Sequence, residues 1–392
     1  MKIPPQIVAQ QPELMAIRRD IHANPETAFE ELRTSNLVAA KLESWGIEVH
    51  KGLAKTGIVG KLACGRNLGR SARAIGLRAD MDALPIHEKN AFGYRSKNDG
   101  RMHACGHDGH TAMLLGAAKY LAESRNFDGT VYFIFQPAEE GQGGGREMIE
   151  DGLFEKFQMD AVFGMHNWPG IPAGQFAVMP GPMMASTDNF EIRVLGRGAH
   201  AAMPQNGIDP ILIGSELVQA LQSISSRTVS PLDAAVVSVT QFHAGEVINA
   251  IPSEAILRGT ARSFKPGVRD TIENAIKRLA AGIAAAHGAS ASVQYDRLYP
   301  PTINAVRETE IVATVLENLV GSENVLRNLQ PSTGAEDFAF MLLQKPGCYL
   351  WIGNGPGDND CMLHNASYDF NDEILPLGSS AWVRLAEHML AV

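Results

Sequence analysis

Apolar residues recur at three- and four-residue spacing over residues 12–23 and 34–45, and Gly46 stands where the second run should stop. Two amphipathic helices are therefore predicted near the start of the chain. Short β-rich runs follow at 57–62 and 74–78. After them come an alanine-rich helical run at 111–122, an apolar run at 130–135, a short helix near 146–149 and another apolar run at 161–165. Apolar strands separated by helices predict a mostly parallel sheet covered on both faces.

Between 183 and 299 the rhythm differs. A strand at 189–195 is followed by a helix at 209–225, strands at 234–240 and 255–261, a helix at 267–286 and a strand at 290–295. That β-α-β-β-α-β order is the split ferredoxin-like arrangement. Met179-Pro-Gly-Pro182 and Tyr299-Pro-Pro301 bracket it as turns. The predicted architecture is α/β: a discontinuous domain of 1–182 and 300–392 with a mostly parallel sheet covered by helices, and an inserted ferredoxin-like satellite domain over 183–299. The returning chain carries a helix at 308–319, a strand at 348–352 and an amphipathic helix at 378–391. A length of 392 residues favours two cores over one.

Composition narrows the function classes. Apolar content of 45% with 20% charged residues is that of an ordinary globular protein and excludes fibrous and disordered classes. The formal net charge is -9 with no long basic run, so neither nucleic acid nor an anionic membrane is an expected partner. No apolar stretch is long enough to span a bilayer, and the first residues lack both an apolar core and a cleavage site. A cytoplasmic location is expected. Cys64, Cys105, Cys348 and Cys361 are too few and scattered for a disulfide framework, which leaves Cys105 free to bind metal in a reducing compartment.

The candidate chemistry centres on Met102-His-Ala-Cys-Gly-His-Asp-Gly-His110, where imidazoles and a thiol gather just before a helix. Neutral imidazole and thiolate are the usual ligands of zinc-like ions. Polar residues elsewhere fall at strand ends: Asp80 and Asp82 after one strand, Glu139 and Glu140 after a second, His166 directly after a third. His364 follows the late strand through a Gly/Pro/Asp-rich loop. Open α/β sheets bind ligands beyond the carboxyl ends of their strands, so these segments point to one edge.

Adjacent Glu139 and Glu140 can face different ways, one binding a metal while the other takes a proton from water. Gly141-Gln-Gly-Gly-Gly145 follows them and would let another group approach closely, but it lacks the Lys-Ser/Thr of a phosphate loop. Asp80 and Asp82 fit as ligands, as anchors for a ligand histidine, or as an ordinary turn, and the anchoring role is preferred for Asp82. His103 and His110 read as supporting groups. In the satellite segment His200, Asn249 and Arg262 fall at or near strand ends, where arginine and asparagine suit a carboxylate.

Five motifs together resemble the hippurate hydrolase and auxin-amide hydrolase branch of the aminoacylase/carboxypeptidase metallopeptidases. They are Arg78-Ala-Asp-Met-Asp-Ala-Leu-Pro85, Met102–His110, Phe135-Gln-Pro-Ala-Glu-Glu140, Gly164-Met-His-Asn-Trp-Pro169 and Leu363-His-Asn365. The resemblance runs along nearly the whole chain in order. It implies a catalytic domain holding two divalent metals, with Cys105, His107, Glu140, His166 and His364 as ligands, Cys105 as a candidate bridge, and Glu139 as general base and acid. It further implies a satellite domain that makes a homodimer, and places His200, Asn249 and Arg262 at the substrate carboxylate or the developing oxyanion, with His200 reaching the partner subunit's site. The broader family carries a histidine before the first catalytic aspartate and a bridging aspartate; here Asp80 and Cys105 stand near those positions. Thiolate favours zinc, whereas the branch is associated with manganese, cobalt or nickel.

The expected activity is metal-dependent hydrolysis of the amide bond of an N-acyl amino acid, with Glu139 as general base. The alternatives are a dipeptidase or carboxypeptidase using the same centre, and a non-catalytic metal-dependent binding protein, against which an intact Glu139 argues.

Overall fold

The computed structural model describes residues 1–65, 73–355 and 361–392. Residues 356–360 of the Gly/Pro/Asp-rich loop before His364 lie outside the described residues. The chain divides into two compact units, one of Met1–Gly181, Ile303–Gln330 and Asp337–Val392, the other of Pro182–Thr302 and Pro331–Glu336. Each has its own apolar core.

The first unit is built on an eight-stranded sheet. Its strands are β1 (Glu48–Leu53), β2 (Gly57–Cys64), β3 (Ala74–Asp80), β4 (Gly129–Gln136), β5 (Ala161–Pro169), β6 (Phe176–Ala177), Val325–Leu326 and Gly347–Gly355. The spatial order is β1, β2, β4, β3, β5, Gly347–Gly355, β6, Val325–Leu326. The four central strands, β4, β3, β5 and Gly347–Gly355, run parallel. β1 and β2 add antiparallel pairs at one edge. Every residue of β3 and of Gly347–Gly355 is buried, which is why these segments are mostly apolar, with Arg78, Asp80 and Asn354 as the polar exceptions.

Helices α1 (Pro5–Ala23), α3 (His107–Ser124) and Leu375–Met389 pack on one another and over the sheet, and α2 (Leu32–Ser44) covers β1 and β2. Helix α1 starts at Pro5, earlier than the sequence pattern predicts, and carries Pro12 inside it. An internal proline loses one backbone hydrogen bond. Pro5 in the first turn loses none, and the burial of Ile7, Leu14, Ile17 and Ile21 along one side outweighs the defect.

In the second unit, strands Thr187–Leu195, Ala235–Ala244, Glu254–Ser263 and Ser290–Tyr299 form an antiparallel sheet in which the first lies between the third and the fourth. Helices Pro210–Ser223 and Pro266–Ala286 pack on one face, burying Leu217, Leu221, Ile272 and Ile276 against Phe190, Ile192 and Leu257. This is the ferredoxin-like arrangement. Its other face is polar: Arg258 Nε lies 2.7 Å from Glu191 Oε2.

Candidate metal centre

Strand ends of unequal length create the site. Pairing between β3 and β5 stops at Arg78 and Gly164, yet β5 continues to Pro169 beside Gly347–Gly355. His166 therefore sits inside its strand, not after it as the sequence pattern predicts. The residues beyond Gly164 keep a partner on one side only, and His166 emerges past the end of β3.

Helix α3 also begins earlier than predicted, at His107, after Gly106 at φ 92°. A Cβ at Gly106 would lie 2.2 Å from Asn167 Oδ1, so only glycine fits this turn. The result places His107 and His110 on the first turn of α3. Beyond β4, Ala138 adopts φ 52°, ψ 41° and swings Glu139 and Glu140 out of the sheet direction. His364 likewise has φ 63°. Left-handed backbone at a non-glycine residue is strained and persists only where surrounding contacts enforce it. The glycine run after Glu140 serves the chain itself: a Cβ on Gly144 would come within 1.8 Å of the Pro137 carbonyl oxygen, so the close approach is not that of another group.

Potential ligand atoms of Cys105, His107 and His166 lie within 4.8 Å of one another, and so do those of Cys105, Glu140 and His364. The two sets share Cys105. A third set joins His107, Glu139 and Glu140. Cys105 Sγ is 3.3 Å from His166 Nε2, and Glu140 Oε1 is 3.2 Å from His364 Nε2. The five predicted ligands and Glu139 thus converge on one region of the first unit. All are buried or nearly so except His364, whose side chain is half exposed.

Neighbouring groups fix which nitrogen of each histidine faces inward. His166 Nδ1 donates to the Asn167 carbonyl at 2.7 Å, which leaves Nε2 with its lone pair toward Cys105. His107 Nδ1 donates to the Asp82 carbonyl at 2.9 Å. Its Nε2 is buried and has no hydrogen-bond partner among the described residues. An orphaned, inward-facing imidazole nitrogen beside a thiol and carboxylates fits a divalent metal by donor chemistry. Asp82 does more: its Oδ1 accepts the Glu139 N–H and its Oδ2 the Glu140 N–H, both at 3.0 Å. One residue, Asp82, therefore ties His107 through its carbonyl and the Glu-Glu turn through its carboxylate.

Asp80 is committed elsewhere. Its Oδ1 receives His110 Nδ1 at 2.6 Å and its Oδ2 receives Arg78 Nη1 at 2.7 Å. His110 Nε2 in turn lies 2.7 Å from Asn167 Oδ1, so His110 supports the site from behind. His103 is buried and forms part of no donor set among the described residues. Three contributors escape a sequence reading. Arg78 spans Asp80, Gln136 and Asp337. Asn167 meets His110 and the Tyr368 hydroxyl. Glu31 receives the N–H of Ala138 at 3.0 Å. Only Arg78 leaves a signal, as a charged residue inside an otherwise apolar strand.

The electrostatics call for cations. Burial opposes charge on His107, but Asp80, Asp82 and Glu140 outweigh it and raise the imidazole to about 10. Burial, with Glu140, Glu139 and Asp80 around it, pushes the Cys105 thiol well above its usual range. A divalent cation reverses both effects, since it favours thiolate and neutral imidazole.

In the second unit, Ala250 pairs with His200 and the Ala201 N–H donates to the Asn249 carbonyl at 3.0 Å, so His200 and Asn249 are neighbours there. His200 Nδ1 accepts the Ala202 N–H, leaving an exposed Nε2–H as a donor. Arg262 lies farther along the Glu254–Ser263 strand, paired with Val236. Burial lowers its pKa, opposed by Asp188.

Residues 76–388 match the description of peptidase family M20/M25/M40. The chain belongs to this family. M20 relatives align over almost its full length. Hippurate hydrolase of Campylobacter jejuni is 45% identical, covering 98% of this chain and 99% of its own. N-acetylcysteine deacetylase of Bacillus subtilis is 39% identical, covering 95% and 96%. The crystal structure of the Bacillus subtilis YXEP protein, described as a dinuclear metal binding peptidase from the M20 family, superposes with a TM-score of 0.86 at 35% identity, over 98% of this chain and 99% of that one. Among the described residues no helix is long and apolar enough to cross a membrane.

Proposed function

We propose that this protein is a metal-dependent amidohydrolase that cleaves the amide bond of N-acyl amino acids. The observation that carries the reading is the convergence of Cys105, His107, Glu140, His166 and His364 around one orphaned imidazole nitrogen, with Glu139 alongside. The names of the M20 relatives, a hippurate hydrolase and an N-acetylcysteine deacetylase, support the substrate class. Cys105, His107, Glu140, His166 and His364 would hold two divalent ions, whose chemistry would be to polarise the scissile carbonyl and lower the pKa of water. Zinc, manganese, cobalt and nickel all suit this mixed thiolate, imidazole and carboxylate set.

The chain's own part is proton handling and positioning. Glu139 takes a proton from the attacking water at a side-chain oxygen and returns it to the leaving amine. Asp82 holds Glu139, Glu140 and His107 in mutual register through the three hydrogen bonds described above. His200, through its exposed Nε2–H, together with Asn249 and Arg262, is assigned to the substrate carboxylate and the developing oxyanion. A homodimer paired through the satellite unit belongs to the same reading, supported by the exposed apolar Leu232, Val247 and Ile248. Four free cysteines fit a reducing compartment such as the cytoplasm.

The test couples metal analysis to hydrolysis of a small panel of N-acyl amino acids and dipeptides. Purified protein should carry about two divalent ions per subunit, lose hydrolysis on chelation and regain it when metal is restored. Undiminished turnover after exhaustive chelation would overturn the proposal, and preference for dipeptides would favour a peptidase.

A further inference from the structure

Glu31 is fully buried and belongs to no donor set among the described residues, yet three stretches of the first unit close on its carboxylate. Its Oε1 accepts the N–H groups of Phe29 and Ala138, both at 3.0 Å, and its Oε2 accepts the Thr56 hydroxyl at 2.6 Å. Among the described residues six that are not glycine have positive φ, and four of them border this carboxylate. Phe29 and Ala138 are bonded to it directly, while Ala54 and Lys55 immediately precede Thr56. The Lys55 ammonium lies 4.5 Å from the centre of the Phe29 ring, which joins two of the strained segments. Strain gathered around one buried side chain points to that side chain as the contact enforcing it.

Three consecutive N–H groups connect this strain to the metal centre. That of Ala138 goes to Glu31, and those of Glu139 and Glu140 go to the two oxygens of Asp82. Asp82 thus grips the residues after the turn, whereas Glu31 grips the residue at which the chain turns. An alanine free of such a grip disfavours the left-handed backbone found at Ala138 by about 5- to 30-fold. Loss of the Glu31 acceptor would let Ala138 relax and carry Glu139 and Glu140 out of register.

We propose that Glu31 is a positioning residue: its carboxylate locks Ala138 in the left-handed turn that presents Glu139 as general base and Glu140 as ligand. The inference rests on the amide-hydrolysis reading above and deepens it. A cycle of variants at positions 31 and 138 tests it on the intact holoenzyme, read by hydrolysis of an N-acyl amino acid and, separately, by the chelator concentration at which metal is released. Glu31→Ala should lower kcat about 5- to 30-fold with KM changed by less than about 3-fold, and should release metal at a lower chelator concentration. Glu31→Gln, whose side-chain oxygen can still accept both N–H groups, should retain most of the parental kcat. Adding Ala138→Gly to Glu31→Ala should restore most of both readouts, because glycine adopts positive φ without the steric penalty. Should Glu31→Ala not fold, Glu31→Asp, one methylene shorter, takes its place in the cycle. Parental kcat and metal retention in the position-31 variant, or a loss that glycine at 138 does not restore, overturns the proposal while leaving amide hydrolysis standing. A parent inactive on every N-acyl amino acid removes the hydrolysis reading, and the chelator readout still decides whether Glu31 holds the turn.

Discussion

Two places in this molecule bury carboxylates in a sheet, and they differ in how the charge is closed. In the satellite unit, Asp188 is 1% exposed and receives Arg269 Nε at 2.9 Å, Arg269 Nη2 at 2.5 Å and the Tyr295 hydroxyl at 2.8 Å. Among the described residues of that unit no non-glycine residue adopts a positive φ. At the metal centre the carboxylates are as deeply placed, but His107 Nε2 is left unpaired and Ala138 and His364 are held in left-handed backbone. Buried charge alone therefore does not mark a functional site. What sets the metal centre apart is that several ligand-type donors gather within reach of one another beside two strained residues.

The comparison breaks first at Glu139. If the open cluster is catalytic, Glu139→Gln keeps its metals and its melting temperature, because Asp82 grips the backbone N–H of Glu139 and not its side chain. Turnover of an N-acyl amino acid should fall about 10²- to 10⁴-fold. Hydrolysis at the parental rate would remove Glu139 from the mechanism. The closed cluster should respond in the opposite currency. Asp188→Ala strands the Arg269 guanidinium and should destabilise the protein by about 3–5 kcal/mol, read by denaturant unfolding, with bound metal unchanged. Replacing the pair together, Asp188→Leu with Arg269→Met, should recover much of that loss. A double variant as unstable as the single one would mean that the satellite core depends on the ion pair itself.

Much of this was legible in the sequence, for reasons that separate the elements. The β-α-β-β-α-β order of the satellite and the parallel strands of the first unit follow from hydrophobic period, a property of each segment alone. The candidate ligands stood out because thiol, imidazole and paired carboxylates are scarce types, and the structure brings their donor atoms together. What was not legible depends on tertiary partners. That His166 lies within β5 follows from β5 outrunning β3, a fact of register. The early start of α3 depends on Gly106 fitting against Asn167, which is distant in sequence. That Asp80 is occupied by Arg78 and His110 likewise needs β3 and α3 in place together.

An ion-paired network also lies behind the metal centre, with Asp108 Oδ1 and Arg18 Nη1 lacking hydrogen-bond partners among the described residues, and it gives the smallest effect. Asp108 follows the ligand candidate His107 in α3, and its Oδ2 lies 2.8 Å from His22 Nδ1, while His22 Nε2 is 3.1 Å from Glu88 Oε1. Arg18 Nε approaches the same Asp108 oxygen at 3.2 Å. Burial opposes charge on His22, but Asp108 and Glu88 outweigh it and raise the imidazole to about 9. A histidine whose folded pKa is raised stabilises fully below its unfolded value near 6.5 and loses that contribution as pH climbs through the folded value. The parent should therefore lose stability between about pH 6.5 and 9, by about 3 kcal/mol at most if His22 acts alone. His22→Gln, which cannot take up the proton, should flatten that part of the profile. Because both His22 nitrogens are taken by Asp108 and Glu88, metal content should be unaffected at pH 7. Parallel stability profiles for parent and variant would show that the charge on His22 does not brace α3, and that the boundary between ion-paired support and donor cluster falls elsewhere than between Asp108 and His107.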